Sequence, residues 1–555
     1  MKNHYRGWIE RGERLVPYLL KCQVLNPESR DYGGYVVLPT KGYSEPAQAA
    51  GCIDVLSSLY FNEKSRFFHS TDLLERVDLY MQYLLREQHA DGTIDLKETN
   101  FHDATAAAFS VRVLAYTYRL YERFNTGSQR EKKIMESLYQ YLKEAGKGMR
   151  EGGFHTPNHR WVMASALALV YKITGEGALR EETEKYLAEG IDCDEEGEYT
   201  ERSAGIYNVV NNSSLIILAE ELDKPELLEA VDGNLQMIFM YMEPDNTLYT
   251  LNSRRQDYGR RVYPVNYYWN YLWMAYRTGN ERFAYMADQL FKLYREQDLF
   301  HEESLGNELT LFMLEPGLVS FQPKMEGPSL CYEHWFKKSG LVRIRREEES
   351  LTLLAHNTRF LKFQRGENAL YMKLAGTFFG DKGRFIPSSI QKTADGYELR
   401  YRMEWGYVRP FETPPPTSVW EEMDHGKRRP VQMQLYDITL KVSWRDGEVL
   451  LDFQSEGTKG VLYKLEFIFE PGGILDTEDL RIPGVAGNTV VLKKGKASYM
   501  YHYDGITIGE GFCEHNYTDA LRGSEAQERD KFTLYMTGYT PIRRQIRISG
   551  HSYSL

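Results

Sequence analysis

The chain has 555 residues, of which 42% are hydrophobic and 26% are charged, and its formal net charge at pH 7 is -11. This balance excludes a disordered chain, and the acidic excess argues against a nucleic-acid partner, because binding to phosphates requires a basic face. The mean hydropathy of -0.53 and the lack of a long apolar stretch predict no membrane span.

The first residues carry charge and contain no apolar segment of the kind that directs secretion, which predicts a cytoplasmic location. The five cysteines are far apart and include no C-x-x-C pair. Neither a disulfide framework nor a cysteine zinc site is therefore predicted.

Residues 1–318 are predicted to form an (α/α) toroid of helical hairpins. Apolar residues recur at intervals of three and four, as between Leu73 and Leu85, which is typical of amphipathic helices. The predicted helices span residues 5–25, 46–61, 71–88, 103–124, 131–149, 158–174, 178–191, 209–222, 225–242, 263–279, 281–297 and 306–314.

Similar turn-rich segments separate the helix pairs, at Gly33-Gly34, Asp91-Gly92, Gly152-Gly153, Glu196-Gly197 and Asp245-Asn246. They recur about every 40 to 60 residues, a period typical of stacked helical hairpins. Helices after these turns are apolar nearly all round, whereas those before them are amphipathic, which favours a ring with an inner and an outer layer. Because the turns that lead into the inner helices lie at one end of such a ring, we expect the functional site there.

Residues 319–555 change to an alternation of apolar and polar residues that is rich in β-branched and aromatic side chains, as over 431–444. Asp446-Gly447 and Asp395-Gly396 are hairpin signals. We therefore predict an α+β multidomain protein in which the toroid is followed by a C-terminal antiparallel β-sandwich domain.

The sequence contains no nucleophile elbow, phosphate-binding loop, zinc-protease helix or dinucleotide-binding glycine motif. Polar clusters on the turns before inner helices remain as candidate sites. The first holds Asn100 and His102; the second His155, Asn158, His159, Arg160 and Trp161; the third Tyr199, Glu201, Tyr207 and Asn208; the fourth Arg254, Tyr258, Arg260 and Arg261.

Each cluster also has an ordinary structural explanation. Asp103 and Asn158 are good helix N-caps, the third cluster fits an acidic surface loop, and the fourth fits a basic one. All four, however, occupy the same place in the repeat, so we expect them to converge on one cleft. Arginines in such a cleft are suited to binding a carboxylate.

The predicted architecture, a toroid followed by a β domain, resembles that of the heparinase II/III-like polysaccharide lyases, and so do two motifs in the toroid. They are Asn-His-Arg-Trp at 158–161 and Gly-Glu-Tyr-x-Glu-x-Ser-x-x-x-Tyr-Asn at 197–208. The resemblance implies that Tyr207 transfers protons and that Asn158 and His159 help to neutralise a substrate carboxylate. It also implies a further catalytic histidine from an early strand of the β domain, which matches His356.

Such a lyase removes the proton next to a uronate carboxylate and expels the 4-linked oxygen by β-elimination. Donors and cations that neutralise the carboxylate make this proton more acidic, a role suited to Asn158, His159 and Arg260. Tyr207 is the predicted base and acid, with His159 or His356 as the second group if the two roles are divided. The expected substrate is a short acidic oligosaccharide cleaved exolytically, and no cofactor is required.

Two alternatives fit the same sequence. A glycoside hydrolase on an (α/α) toroid would use two carboxylates drawn from Asp103, Glu198 and Glu201. A carbohydrate-binding protein would hold the same sugars without turnover. The (α/α) toroid occurs in both lyases and glycoside hydrolases, so the fold does not distinguish between these functions.

Overall fold

The structure is a computed structural model that describes residues 1–37, 42–296, 305–518 and 521–552. The chain forms two units, the first from Met1–Phe239 and Ser253–Pro328, the second from Met240–Asn252 and Ser329–Leu555. The boundary thus follows Pro328 rather than residue 318. The segment Met240–Asn252, which the sequence pattern placed in the helical part, folds with the β strands.

The helices begin and end close to their predicted bounds. They are α1 Lys2–Cys22, α2 Pro46–Phe61, α3 Thr71–Glu87, α4 Ala104–Phe124, α5 Gln129–Glu151, α6 Pro157–Thr174, α7 Gly177–Ala188, α8 Tyr207–Leu222, α9 Leu228–Tyr241, α10 Tyr268–Thr278, α11 Glu281–Glu296, α12 Glu308–Leu314 and α13 Gly317–Ser320. Pro225 and Pro264 begin short 3₁₀ turns ahead of α9 and α10, since proline is favoured in a first helical turn, where its missing N–H is not needed. Residue 297, the predicted end of α11, lies outside the described residues.

The helices of the first unit form a closed ring of two layers. Helices α2, α4, α6 and α8 pack against one another in succession, and α3, α5 and α7 cover the first three from outside. The ring is closed by α1, where Trp8 lies 5.4 Å from Tyr268 of α10 and His4 stacks on Phe291 of α11 at 4.2 Å. The predicted (α/α) toroid is therefore confirmed. None of the described helices is long and apolar enough to cross a membrane.

The Gly152-Gly153 turn differs, with a φ of -82° at Gly152, but the other four turns that recur in the sequence share a backbone conformation. Their central residues have positive φ angles: Gly33 (85°), Gly92 (85°), Gly197 (83°) and Asn246 (63°). A side chain at Gly92 would also meet the carbonyl oxygen of Glu144 at 2.0 Å. Glycine and asparagine adopt positive φ more readily than other residues, which explains the repeated composition of these turns.

The second unit is a sandwich of two sheets. Its strands are β3 Cys331–Phe336, β4 Leu341–Arg346, β5 Glu349–Leu354, β6 Leu361–Arg365, β7 Asn368–Gly376, β8 Ser389–Lys392, β9 Tyr397–Val408, β10 Pro430–Arg445, β11 Glu448–Gly457, β12 Leu462–Phe469, β13 Ile474–Thr477, β14 Arg481–Pro483, β15 Thr489–Val491, β16 Ala497–Tyr501, β17 Asp504–Gly509, β18 Phe532–Tyr539 and β19 Arg543–Ser552. A two-stranded hairpin, β1 Ile94–Leu96 and β2 Asn100–Asp103, precedes α4 in the first unit.

One sheet has the order β14-β13-β16-β17-β19-β11-β10-β9-β8 and the other β15-β18-β12-β7-β6-β5-β4-β3. All pairs are antiparallel except β15 with β18. The sheets share one apolar core, in which Phe363 of β6 lies 5.9 Å from Trp444 of β10. The predicted antiparallel sandwich is confirmed, and Asp446-Gly447 forms the β10–β11 hairpin turn with positive φ at both residues.

A buried ion cluster holds the segment Met240–Asn252 in the second unit. Glu243 is fully buried, 3.0 Å from Nη1 of Arg343 and 2.9 Å from Nζ of Lys362. Burial by itself raises the pKa of Glu243, but the two cations outweigh it and lower this pKa to about 2. The carboxylate is therefore charged and neutralised by partners from β4 and β6.

Candidate active site

Tyr207 is the first residue of α8, at the end of the toroid where the inner helices begin. Its backbone N–H donates to the carbonyl oxygen and to Oγ of Ser203, at 3.1 and 3.2 Å. Its phenol donates a hydrogen bond to Oε1 of Gln256 at 3.0 Å, and the side chain is half-buried. The phenol oxygen is thus accessible from the surface rather than enclosed in the apolar core.

Arg255 connects Tyr207 to a buried carboxylate. Its guanidinium carbon lies 5.1 Å from the centre of the Tyr207 ring. Its Nε lies 3.2 Å from Oε1 of Glu201, an ion pair that lacks the alignment of a hydrogen bond. A cation in this position stabilises the negative charge that forms when the phenol loses its proton.

Glu201 is held in turn by Asn158 at the start of α6. The amide nitrogen Nδ2 of Asn158 donates to both carboxylate oxygens, at 2.8 and 3.1 Å, and its backbone N–H donates at 3.2 Å. Burial raises the pKa of Glu201, an effect that Asn158 and Arg255 oppose. A continuous chain of contacts therefore runs from Asn158 through Glu201 and Arg255 to Tyr207.

Asp257 fixes the arginine loop, residues 253–261, beside the start of α8. Its fully buried carboxylate accepts hydrogen bonds from Oγ of Ser203 at 2.8 Å, Oγ of Ser253 at 2.5 Å and the backbone N–H of Gly205 at 2.8 Å. A Cβ atom at Gly205 would lie 2.8 Å from the Asp257 carboxylate, so the close contact between this carboxylate and the backbone requires glycine at position 205. These bonds join the two segments that carry the phenol and the guanidinium.

His159 lies beside these groups but carries no charge at neutral pH. Its ring lies 5.2 Å from that of His155 and 6.1 Å from that of Phe109. Burial lowers the pKa of His159 to about 4, with a further contribution from His155. The neutral ring can donate a hydrogen bond or accept a proton, so the predicted role of His159 in neutralising a carboxylate stays a prediction in which the ring acts as a hydrogen-bond donor.

Four predicted site residues are enclosed within the protein, each 0% exposed: Asn158, Trp161, Tyr199 and Asn208. Trp161 donates to Asp192 at 2.7 Å, Tyr199 to Asn212 at 2.9 Å and Asn208 to Glu198 at 3.4 Å. Because these side chains do not reach the surface, the structure assigns them a supporting role instead of sugar contact. The amide of Asn158 likewise orients Glu201 instead of facing a ligand.

Arg160 and the first cluster are also engaged within the protein. Arg160 lies 3.0 Å from both Glu189 and Asp192. Asn100 donates to Asp103 at 2.8 Å, which in turn caps α4 by accepting the N–H groups of Thr105 and Ala106. His102 pairs with Asp91 at 2.6 Å and stacks on His89 at 3.9 Å. These partners occupy polar groups of Asn100, His102 and Arg160, and the predicted sugar contacts of the three residues stay predictions.

The remaining predicted residues are exposed. In the first unit they are His155, Arg254, Tyr258, Arg260 and Arg261. In the second unit, His356 follows β5 on an exposed turn with a φ of 59°; its catalytic role stays a prediction.

Sequence reasoning assigned the cationic role to Arg260 and did not select Arg255, Gln256 or Asp257. The only signal for Arg255 was its place in a loop with four arginines. No group of three or more His, Cys, Asp or Glu side chains suited to a metal ion occurs in the described parts of the chain.

Several solved structures share this fold along nearly the whole chain. A Paenibacillus xanthan lyase matches with a TM-score of 0.56 at 10% identity, over 100% of this chain and 57% of its own. The Streptomyces coelicolor A3 chondroitin AC lyase, in complex with chondroitin sulphate, matches with a TM-score of 0.56 at 12% identity, and the match covers 99% of this chain and 80% of the lyase. A heparan sulfate lyase from Pedobacter heparinus matches with a TM-score of 0.53 at 10% identity, and the match covers 98% of this chain and 83% of the lyase.

This chain therefore spans little more than half the length of the xanthan lyase and about four-fifths of the other two. No protein-family model and no curated protein matches it. At this level of identity the likeness establishes a shared fold, the toroid followed by a β-sandwich that these polysaccharide lyases have.

Proposed function

We propose that this protein is a carbon–oxygen lyase that cleaves an acidic oligosaccharide at a 4-linked uronic acid. Two observations support the proposal. The fold is that of several polysaccharide lyases, and Tyr207 presents its phenol at the end of the toroid with Arg255 over its ring. The pairing of Tyr207 with Arg255 carries the proposal, because proton abstraction by a phenol requires a nearby cation.

In the proposed reaction, the phenolate of Tyr207 takes the proton from C5, the carbon that bears the carboxylate. The electrons of that C–H bond form the C4–C5 double bond, and the bond between C4 and the leaving oxygen breaks. The phenol then returns the proton to the leaving oxygen, so that no net proton is gained or lost. Arg255 stabilises the phenolate at the start and end of this cycle.

The substrate carboxylate has to be neutralised before its neighbouring proton becomes acidic enough to remove. We assign this role to the exposed arginines of the loop, Arg254, Arg260 and Arg261, because a guanidinium binds a carboxylate through two parallel hydrogen bonds. His159 is neutral and is therefore suited to donating one hydrogen bond to the sugar or to sharing the proton transfer.

The direct test is absorbance near the ultraviolet edge, where the new C4–C5 double bond of the product absorbs, measured across a panel of uronate oligosaccharides. We expect Tyr207→Phe to abolish the signal. Tyr171→Phe, near the opposite end of α6, is the matched control and should retain it, since that tyrosine lies about 20 Å along the helix from the Asn158 end. A wild-type protein without this signal on every uronate would contradict the proposal.

A glycoside hydrolase remains the competing function, and the same assay separates the two. Its carboxylates are already engaged: Asp103 caps α4, and Glu201 is bound by Asn158 and Arg255. We expect Glu201→Gln to retain much of the lyase signal that Tyr207→Phe loses. The reverse ranking, with reducing ends formed but no absorbance, would support the hydrolase, and binding without either product would support a sugar-binding protein.

A further inference from the structure

A cavity of about 610 Å³ lies within the ring of inner helices, which is a typical size for a small-molecule site. Its walls come from α4, α8, α10 and α12 and from the residues just before α10 and α12. Four aromatic side chains line it: Phe109, Tyr116, Trp269 and Trp273. Aliphatic side chains of α8 and α12 form much of the remaining wall.

The cavity begins beside the candidate active site. Val209 and Val210, in the first turn of α8 directly after Tyr207, belong to its wall. So does Phe109, whose ring lies 6.1 Å from that of His159. A ligand bound at Tyr207 can therefore extend into the toroid along α8.

Two ionisable side chains in the cavity wall have atoms that are shielded from solvent and make no hydrogen bond, Nε of Arg112 and Oε2 of Glu308. Burial lowers the pKa of the Arg112 guanidinium to about 10 and raises the pKa of the Glu308 carboxyl. In contrast, Arg119 and Glu221 in the same wall form a two-point ion pair at 2.7 and 2.8 Å.

Among the described residues, no carboxylate pairs with the partly buried guanidinium of Arg112, and its Nε is shielded from water without a hydrogen bond. A cation in this state is unfavourable, because the protein does not replace the water that it has lost. An anionic ligand would supply that partner. The neighbouring Trp269, stacked with Trp273 at 5.7 Å between ring centres, offers a flat apolar face of the kind that packs against a pyranose ring. The wall thus combines the Arg112 cation, the Glu308 carboxyl and an aromatic platform, and it also contains the carboxylates of Glu220, Glu221 and Glu315.

We infer that this cavity is a second saccharide subsite, which receives the end of the acidic chain with an anionic group on Arg112 and a sugar face on Trp269. The inference rests on the proposed function, because it places the sugars beyond the bond that Tyr207 cleaves. If the cavity receives a chain end, we expect exolytic cleavage and a preference for a minimum chain length.

The test is the affinity of the full-length Tyr207→Phe protein for chondroitin, hyaluronan and heparosan di- and tetrasaccharides, measured by calorimetry. We expect a tetrasaccharide to bind at least about tenfold more tightly than its disaccharide. Adding Arg112→Gln should weaken tetrasaccharide binding by about 10- to 100-fold, the range for a lost charge-assisted hydrogen bond. Adding Trp269→Ala should weaken it by about 3- to 10-fold, the range for a lost aromatic stacking face. Disaccharide binding should change little.

Arg130→Gln, on the outer helix α5 where the arginine forms an exposed pair with Glu75, is the matched control and should leave both affinities unchanged. A second readout is thermal stability without ligand. Arg112→Gln should keep or raise the Tm, because it removes a partly buried charge that no carboxylate of the described residues pairs with. An arginine with only a structural role would lower the Tm when replaced.

Equal affinity for both chain lengths, an unchanged affinity in Arg112→Gln, or no binding by any of the saccharides would overturn the subsite. These results are distinct from failure of the proposed reaction. In one further outcome, the tetrasaccharide binds more tightly than the disaccharide and Arg112→Gln weakens its binding, while the wild-type protein forms no absorbing product. That outcome would support the subsite and contradict the lyase reaction.

Discussion

The hydroxyl of Ser203 donates a hydrogen bond to the carboxylate of Asp257 at 2.8 Å, and this bond joins the segment before Tyr207 to the loop that carries Arg255. Neither Ser203 nor Asp257 is exposed to solvent. The two side chains are therefore not accessible to a ligand, and their hydrogen bond fixes the position of the Tyr207 phenol relative to the Arg255 guanidinium.

Replacing Asp257 by Asn should lower kcat more than it raises KM. The substitution removes a charged acceptor from three donors, each such bond contributing about 1.5–3 kcal/mol, and lets the arginine loop move away from Tyr207. Initial rates and thermal unfolding would be measured together. Asp54→Asn, a buried carboxylate of α2, serves as the control, and an equal fall in kcat in both variants would contradict the positioning role.

Replacing Arg255 by Gln should reduce kcat/KM by about 100-fold, because the phenolate loses its only assigned cation. Arg254→Gln, the adjacent exposed arginine, should mainly raise KM through weaker binding of the substrate carboxylate. The absorbance assay at several substrate concentrations separates these effects. An Arg255→Gln protein with the wild-type kcat would show that this guanidinium does not act on Tyr207.

The pH dependence of the rate should contain no inflection near pH 6.5 from His159. Its pKa is lowered to about 4 by burial, so it stays neutral in the native protein while the unfolded chain takes up its proton below about pH 6.5. The stability linked to His159 is thus present above that pH and is lost as the pH falls toward 4. Titration of the His159 ring by NMR checks this, and a midpoint above about 6 would contradict it.

Replacing Glu243 by Gln should destabilise the second unit by about 3–5 kcal/mol, because Arg343 and Lys362 would remain buried without their counter-ion. The pKa of Glu243 is lowered to about 2, so its stabilisation is complete above the ordinary glutamate pKa and is lost as the pH falls through 2. Urea unfolding at pH 7 measures the change. Glu448→Gln, which breaks the exposed pair with Arg547, should change stability by less than about 1 kcal/mol.

Replacing Asp54 by Asn should stabilise the protein above neutral pH. Burial raises the pKa of Asp54 to about 7, so the native state retains a proton that the unfolded chain releases near pH 4, and stability declines as the pH rises from 4 to 7. The introduced amide would avoid this decline while still accepting hydrogen bonds from Thr117 and Thr310 through its oxygen. Tm values at pH 5 and pH 8 test this, and an equal effect at both would refute it.

The helical and β regions were predictable because their signals are local. The apolar faces of α3 and α5 repeat within a few residues, and turn residues such as Gly92 and Asn246 need a backbone conformation that few residue types adopt. The third cluster, which contains Tyr207, was informative for the same reason, since Tyr207 directly follows the turn that leads into an inner helix.

Other features depend on residues far apart in the chain. Met240–Asn252 belongs to the second unit because Glu243 is paired with Arg343 and Lys362, each at least 100 positions away. Nothing in the local sequence distinguishes this segment from the turns of the toroid.

The order and type of the helices and strands, and the grouping of polar residues at the helix starts, followed from the sequence by itself. The contact of Arg255 with Tyr207, the burial of Trp161 and Tyr199, and the neutral state of His159 were decided only by the tertiary structure. The physical reason is that periodicity reports which face of an element is apolar. Which polar groups meet, and how much water they lose, depends on neighbours supplied by other elements.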